Sequence, residues 1–229
     1  MKRTFAIFAL LSGVLLSYAL HQALVAAPTE KTMGEVQRIF YYHVPSAWTA
    51  FLLFTINFVA SVVYLIRRSM TADALAVVSA EVGVVFCTVV LVTGPLWARP
   101  VWGIWWTWDV RLTSTLVLWL IYVSYLMLRR FSTSGETPVL AAALAIFGAL
   151  DVPLVYFSIW IFRTQHPQPV IGGGGSIDPR MLHVLLINWA AFLCFAFVIC
   201  LSRYRLERLK RDVEEMQALE ALLEPRSSR

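Results

Sequence analysis

Long apolar stretches separated by short polar segments make up most of the chain. Six of them are recognisable, at about 4–27, 46–66, 74–96, 113–128, 138–162 and 181–202. A helix needs about 20 mostly apolar residues to cross the hydrocarbon layer of a bilayer, and each stretch is close to that length. The pattern predicts an all-α polytopic integral membrane protein with six transmembrane helices.

The composition excludes an ordinary soluble domain. Hydrophobic residues make up 59% of the chain and charged residues 14%, against about 45–50% and about 25% in soluble globular domains. The cysteines, Cys87, Cys194 and Cys200, all lie in apolar stretches and form neither a CxxC pair nor an even-numbered framework. A disulfide scaffold and a zinc site are therefore not expected.

The net charge of +5 is explained by membrane topology, and no nucleic-acid partner is expected. Thirteen of the 19 Lys and Arg residues lie at the termini and in the loops 67–73 and 129–137, and six lie in the other connections. Because Lys and Arg concentrate on the cytoplasmic side, both termini are predicted to be cytoplasmic. The outer connections are then about 28–45, 97–112 and 163–180.

The two ends of the chain each allow two interpretations. The N-terminal apolar run 4–27 could be a signal peptide that is cleaved off, or a retained transmembrane helix. Because it exceeds the ~7–15 residues of a signal-peptide core, we expect it to be retained as the first helix of a membrane domain spanning 1–203. The remainder, 204–229, is predicted to be a helical cytoplasmic tail. Its apolar residues fall near a heptad spacing: Leu206, Leu209, Val213, Met216 and Leu223. They fit either a solvated extension of the last helix or a docking stripe for a partner.

Five of the nine tryptophans lie between positions 97 and 108, in the second outer connection. An interfacial aromatic belt explains their location but not their density. If the segment is helical, Trp102, Trp105, Trp106 and Asp109 share one face. Together with Trp108 such a platform suits a porphyrin, with Arg99 or Arg111 pairing with its propionates. A cage for a quaternary ammonium ion is the alternative.

The predicted topology places all four histidines in the outer half of the membrane. Haem iron accepts axial imidazoles, so two of these histidines could hold it. His43 and His166 lie at loop–membrane junctions, whereas His21 and His183 lie within predicted helices. The spacing alone leaves the choice open, and His183 remains the alternate second ligand.

Several segments resemble one known family. The run from Trp102 to Thr113, WGIWWTWDVRLT, is similar to the tryptophan-rich WWD signature of haem-handling proteins. The segment His43–Trp48 (HVPSAW), together with AEVG at 80–83 and LVTG at 91–94, resembles haem exporter protein C, the CcmC family of system I cytochrome c maturation. The likeness covers about residues 30–203.

The resemblance implies a function and a set of partners. It implies that His43 and His166 are the axial ligands of haem b, that the WWD loop holds the porphyrin, and that the haem is delivered to a CcmE-like haem chaperone. CcmA/CcmB-like ATP-binding cassette subunits and a CcmD-like small membrane subunit would be further partners. The location implied is the bacterial inner membrane, with the haem site facing the periplasm.

Other functions are weighed against this one. A bis-histidine electron-transfer subunit would bury haem between helices, and a small-molecule transporter would use a midplane site involving Asp151. The simplest structural explanation of Asp151 is a protonated acid that bonds to backbone groups freed near Pro153. A role in a proton or ligand pathway is the alternative, and Glu81 is a weaker candidate for that role. The sequence shows no nucleophile–base pair with an orienting third residue, so an enzyme is not expected.

Overall fold

A computed structural model describes residues 2–132, 134–162, 164–169 and 177–223 of the chain. Over these residues the protein is helical, with no β-strand beyond one isolated bridge between Glu30 and Gly34. The helices are α1 (Lys2–His21), α2 (Phe40–Arg67), α3 (Met70–Trp102), α4 (Val110–Phe131), α5 (Thr137–Ala149), α6 (Asp151–Ile161) and α7 (Pro179–Leu223). A π-helical turn (Gln22–Ala26) extends α1, and a 3-10 turn (Glu35–Ile39) leads into α2.

Six helical segments are long and apolar enough to cross a membrane. They are Arg3–Ala26, Glu35–Arg67, Met70–Trp102, Val110–Phe131, Thr137–Ile161 and Pro179–Leu223. The prediction of an all-α, multi-pass membrane protein with six spans is confirmed.

The fifth span is broken near its middle, between α5 and α6. Pro153 has no amide hydrogen, and its ring excludes the carbonyl of the residue four positions earlier, Ala149, from a regular helix. The last turn of α5 is tighter than a regular α-helix, because Leu150 N donates to the carbonyl three residues earlier, that of Phe147, at 3.2 Å. Asp151 then begins α6, where a carboxylate is favoured by the positive end of the helix dipole.

The start of α2 and the end of α3 lie well outside the bounds predicted from the sequence. α2 begins at Phe40 and includes Pro45, so that residues 40–45 are helical rather than part of a loop. α3 continues to Trp102. α7 runs without a break from the last span into the tail, to Leu223. The run Gly172–Gly175, whose four successive glycines favour a flexible flap in the third outer connection, lies outside the described residues.

Close packing between α2, α3 and α4 fills the centre of the bundle. The rings of Phe54 and Tyr122 are stacked, with centroids 3.9 Å apart and an interplanar angle of 12°. Gly83 of α3 makes room for this stack, because a Cβ at that position would lie 2.7 Å from Phe54 Cε1. Asn57 Nδ2 donates to the Ala76 carbonyl at 2.7 Å, which joins α2 to α3 beside the stack.

Ion pairs join the start of α3 to α4 and to the far end of α7. Arg129 donates to both carboxylate oxygens of buried Asp73, at 2.8 and 2.7 Å. Arg211 Nη2 donates to the same carboxylate at 2.8 Å, and Arg203 holds Glu81 through two bonds of 2.8 Å. Glu81 therefore has a structural partner. The tail and the tryptophan loop lie at opposite ends of α3.

Candidate functional site

His43 lies in the first turns of α2 and is held by α3. Its Nδ1 is 2.9 Å from Thr93 Oγ1, and the Thr93 hydroxyl donates to the Val89 carbonyl at 2.6 Å. A hydroxyl has one proton to donate, so Thr93 accepts from Nδ1–H of His43. This tautomer leaves Nε2 of His43 with a free lone pair. The sequence placed His43 at the junction of the outer loop and the second span; α2 begins earlier than that predicted span, at Phe40, so that His43 lies within its first turns.

His166 lies in the connection after α6. Its Nδ1 is 2.9 Å from the Pro167 carbonyl, and since a carbonyl only accepts, Nδ1 carries the proton and Nε2 is free. Burial and the positive charge of Arg111 lower the pKa of His166 from 6.5 to about 4, although the Pro167 contact acts in the opposite direction. The ring is therefore neutral near pH 7.

The structure brings His43 and His166 together. Their ring centroids are 6.4 Å apart, with an interplanar angle of 31°. Gly94 of α3 faces the same site, because a Cβ there would lie 3.4 Å from His43 Cε1. Among the described residues, no group of three or more His, Cys, Asp or Glu could hold a metal ion, so the site offers a pair of imidazoles and not a larger ligand set.

The two other histidines face outward. His21, at the end of α1, and His183, in the first turns of α7, are both exposed. The neighbours of His183 at positions 181, 184 and 185 are buried instead, so the buried side of α7 is turned away from this imidazole.

The tryptophan loop is not helical throughout. α3 ends at Trp102 because Gly103 adopts a left-handed conformation (φ 78°) and donates to the Arg99 carbonyl at 3.0 Å, a common way to end a helix. The next helix begins with Asp109, whose Oδ1 accepts from Leu112 N at 2.9 Å. The single helical face proposed for Trp102, Trp105, Trp106 and Asp109 was therefore wrong.

The tryptophans form pairs instead of one flat face. Trp97 packs edge-on against Trp102 at 5.2 Å, and Trp106 packs edge-on against Trp108 at 5.8 Å. Trp105 and Trp108 are 56% and 77% exposed, which leaves large aromatic surface available to a ligand or to lipid. A shallow apolar groove of about 480 Å³ adjoins the loop, lined by Leu91, Pro95, Trp106, Trp108 and Leu116.

The two candidate arginines differ in their surroundings. Arg99 is exposed and donates to the Gly103 carbonyl at the end of α3, so its side chain completes the helix end. Arg111 is half-buried, and its Nη1 has no partner among the described residues. Trp106 Nε1 is likewise buried without a partner. Arg111 is therefore the arginine with donor capacity left for an anionic group.

Asp109 and Asp151 both lie at helix starts, but only Asp109 caps its helix through the side chain. Asp109 also accepts from the Thr107 hydroxyl at 3.3 Å, so its carboxylate is used within the loop. Asp151 opens α6, and its Oδ2 is buried without a partner among the described residues. Sequence reasoning missed Thr93 as the residue that orients His43, because nothing in the sequence separates it from Ser79 and Thr88, the other hydroxyl residues of the same apolar span.

Comparison with known proteins identifies the family. Residues 1–219 match the family model described as Heme exporter protein C, a wider match than the 30–203 of the sequence resemblance. Heme exporter protein C of Bradyrhizobium diazoefficiens is 35% identical over 211 residues, covering 91% of this chain and 80% of that protein. Its namesake from Haemophilus influenzae is 33% identical over 211 residues, covering 91% and 86%.

A third relative agrees. Heme exporter protein C of Escherichia coli K12 is 33% identical over 180 residues, which is 78% of this chain and 73% of that protein. The family match includes the histidine pair, the tryptophan loop and most of the tail. This chain belongs to the heme exporter protein C family.

Proposed function

We propose that this chain handles haem for the biogenesis of c-type cytochromes. It holds haem b at the tryptophan-loop end of the bundle, between His43 and His166, and passes it to a CcmE-like haem chaperone. The observation that carries the proposal is the pairing of these two rings, 6.4 Å apart, in a chain whose relatives are named heme exporter proteins. In this proposal the protein lies in the bacterial inner membrane, and its haem site faces the periplasm.

The distance between the rings supports axial ligation. A metal–imidazole bond of about 2 Å on each side, plus roughly 1 Å from each nitrogen to the centre of its ring, places two axial imidazoles with centroids about 6 Å apart. The contacts of both Nδ1 atoms leave both Nε2 atoms free. Such outer hydrogen bonds orient metal-bound histidines and fix their tautomers.

The surroundings suit the rest of a porphyrin. The exposed indoles of Trp105 and Trp108 offer apolar surface for the macrocycle. The unpartnered Nη1 of Arg111 is suited to a propionate, because a guanidinium–carboxylate pair is a strong, charge-assisted hydrogen bond. Arg99 is less suited, since it already serves the end of α3.

The two ligands differ in how firmly the protein holds them, and this difference supports a direction of release. His43 is part of a long helix and is bound to α3 through Thr93. His166 lies in a connection that is tied to α6 by Gln168 Nε2, 3.4 Å from the Ile159 carbonyl. Transfer to the chaperone therefore begins with the loss of the His166 bond. CcmA/CcmB-like transporter subunits and a CcmD-like subunit complete the proposed assembly.

The experiment is the absorption spectrum of the purified full chain loaded with haem. His43→Gly and His166→Gly should each lose the low-spin spectrum, and added imidazole should restore it by occupying the vacated space. His183→Gly should keep the wild-type spectrum, which makes it the matched control. A haem loss in His183→Gly together with a wild-type His166→Gly would show that the second ligand is assigned wrongly.

The electron-transfer alternative makes a different prediction. A bis-histidine redox subunit holds its haem permanently between spans, whereas His166 lies outside the fifth span, which ends at Ile161. Incubation of the loaded chain with a purified CcmE-like chaperone should move haem to the chaperone. Retention of all the haem by this chain would favour the electron-transfer subunit.

A further inference from the structure

A row of apolar side chains runs along the far part of α7, and no described helix covers it. We call it the tail stripe. Its members are Leu206, Leu209, Val213, Met216, Leu219 and Leu223, with exposed fractions between 47% and 74%. Residues three and four positions apart share one side of a helix, so the tail stripe is a continuous surface.

The other side of the same helix is bound to the membrane domain. Arg211 Nη2 donates to Asp73 at 2.8 Å, and Arg211 Nη1 donates to the Met70 carbonyl at 3.1 Å. Arg211 is two positions from both Leu209 and Val213, which is about 200° around a helix of about 3.6 residues per turn. These bonds therefore fix the rotation of α7 so that the tail stripe faces away from α3.

The charges beside the far half of the tail stripe, from Val213 to Leu223, have one sign, whereas charges of both signs lie beside Leu206 and Leu209. The described residues after Arg211, positions 212–223, include four acidic residues and no Lys or Arg. They are Asp212, Glu214, Glu215 and Glu220. Glu220 lies between Met216 and Leu223 along the tail stripe itself, where a basic side chain of an opposing helix would neutralise it.

We propose that the tail stripe docks an amphipathic helix of a partner protein, with Lys and Arg flanking its apolar face. Apolar anchors at regular helical spacing, with opposite charges at the edges, are the recognised basis of helix–helix docking. This partner is separate from the haem site, which lies at the other end of α3.

A membrane surface fits the tail stripe poorly. α7 is one continuous helix of 45 residues, about 68 Å long, and the hydrocarbon layer is about 30 Å thick. The tail therefore extends beyond the bundle as a continuation of the span. Helices that lie on anionic lipid carry Lys and Arg on their polar face, whereas the far part of this helix is acidic.

A second copy of the chain also fits poorly. Two tails packed side by side in parallel would place their acidic residues against each other, and like charges at such positions are destabilising. A partner helix with basic flanks has no such cost.

The test uses the full chain in nanodiscs of uncharged phosphatidylcholine. The probe is a fluorescent synthetic helix of about three heptads with Leu at the core positions and Lys at the flanking positions; the comparison peptide has Glu in place of Lys. We expect the Lys peptide to bind and the Glu peptide not to bind. The double variant Val213→Glu, Met216→Glu should weaken binding about tenfold or more, since it removes two central anchors.

Leu222→Glu is the matched control. Leu222 is 82% exposed on the same helix but lies about 120° around the helix from Met216 and about 180° from Val213. It is therefore turned away from the two central anchors, and this variant should bind the Lys peptide like wild type. Equal binding of both peptides, or equal weakening by Leu222→Glu, would overturn the proposal. So would disulfide formation between two copies of a Met216→Cys variant, which would make a second copy the occupant, or binding of the tail to anionic vesicles. Unchanged haem absorption and helix content in all variants would show that the bundle is intact.

Discussion

Thr93 Oγ1 lies 2.9 Å from Nδ1 of His43, and this contact decides which nitrogen of the ring is free. The Thr93 hydroxyl donates its proton to the Val89 carbonyl, so it can only accept a hydrogen bond from the imidazole. Thr93 thereby sets the tautomer of a proposed iron ligand, a role that outer hydrogen bonds commonly have at metal sites.

Replacing Thr93 by Val should weaken haem binding while keeping the shape of the side chain. Without the hydroxyl, Nδ1 loses its acceptor and the ring loses its preferred tautomer and orientation. Loss of such an outer partner typically costs 10–100-fold in metal affinity, so we expect a loss of about that size. The measurement is a haem titration of the full chain, followed by absorption.

Thr55→Val is the control for that titration. Thr55 also donates to the carbonyl four residues earlier, at 2.8 Å. However, it is exposed, and it lies about three turns along α2 from His43. It should leave haem affinity at the wild-type value. Equal affinities in Thr93→Val and wild type would show that the hydroxyl does not orient His43.

Gly83→Ala should destabilise the bundle. The added methyl group would lie 2.7 Å from Phe54 Cε1, and Phe54 is itself fixed by its stack with Tyr122. Overpacking of this kind costs about 1–3 kcal/mol, to be measured as the free energy of unfolding in detergent. Gly13→Ala is the matched control, because nothing lies within 4 Å of its added Cβ. A wild-type stability of Gly83→Ala would mean that Phe54 can move aside.

Asp73→Asn should be the most damaging single charge change at the tail end of the bundle. Arg129 and Arg211 both bind this buried carboxylate. Its loss leaves Arg129 without its ion-pair partner, and leaves Arg211 with Glu207 alone. Breaking a buried pair costs about 3–5 kcal/mol in the free energy of unfolding. Glu81→Gln should cost about 0–1 kcal/mol, since the Glu81–Arg203 pair is partly exposed. Similar losses in both variants would contradict this ranking.

The spans could be predicted from the sequence because the bilayer imposes a length and an apolar composition that leave a direct pattern. The break between α5 and α6 could not be predicted with the same ease, although Pro153 was visible, because some membrane helices bend at proline without ending. The contacts of Asp73 with Arg129 and Arg211 depend on which helices are neighbours, and a single sequence does not state that.

The site shows the same division. Residue type and resemblance selected His43 and His166, and the structure brings their rings together. The tryptophan face failed because periodicity was extended across Gly103, where a left-handed backbone ends α3. Asp109 was taken for the edge of a platform, whereas it caps the start of α4. Arg99 and Arg111 could not be separated by sequence, since only burial and bonding distinguish them.

The pKa of His166 should depend on Arg111. Since burial and the Arg111 charge lower this pKa from 6.5 to about 4, the unfolded chain binds an extra proton between these values, and the folded loop loses stability as pH falls from 6.5 towards 4. Arg111→Gln should raise the pKa of His166, as measured by NMR of the haem-free protein with labelled histidine. Arg180→Gln, at an exposed pair with Asp178, should leave it unchanged. A pKa of His166 near 6.5 in the wild type would show that burial and the Arg111 charge do not lower it.

Arg111 should also bind a propionate, and the ligand itself can be changed to test this. Arg111→Gln removes a charged hydrogen bond, typically about 1.5–3 kcal/mol, so haem affinity should fall about 10–100-fold. Haem dimethyl ester lacks the carboxylates and should bind wild type and Arg111→Gln equally. Arg99→Gln should leave the affinity for haem unchanged, because Arg99 serves the end of α3. An equal loss for haem and for its ester would mean that Arg111 supports the fold of the site and does not contact a propionate.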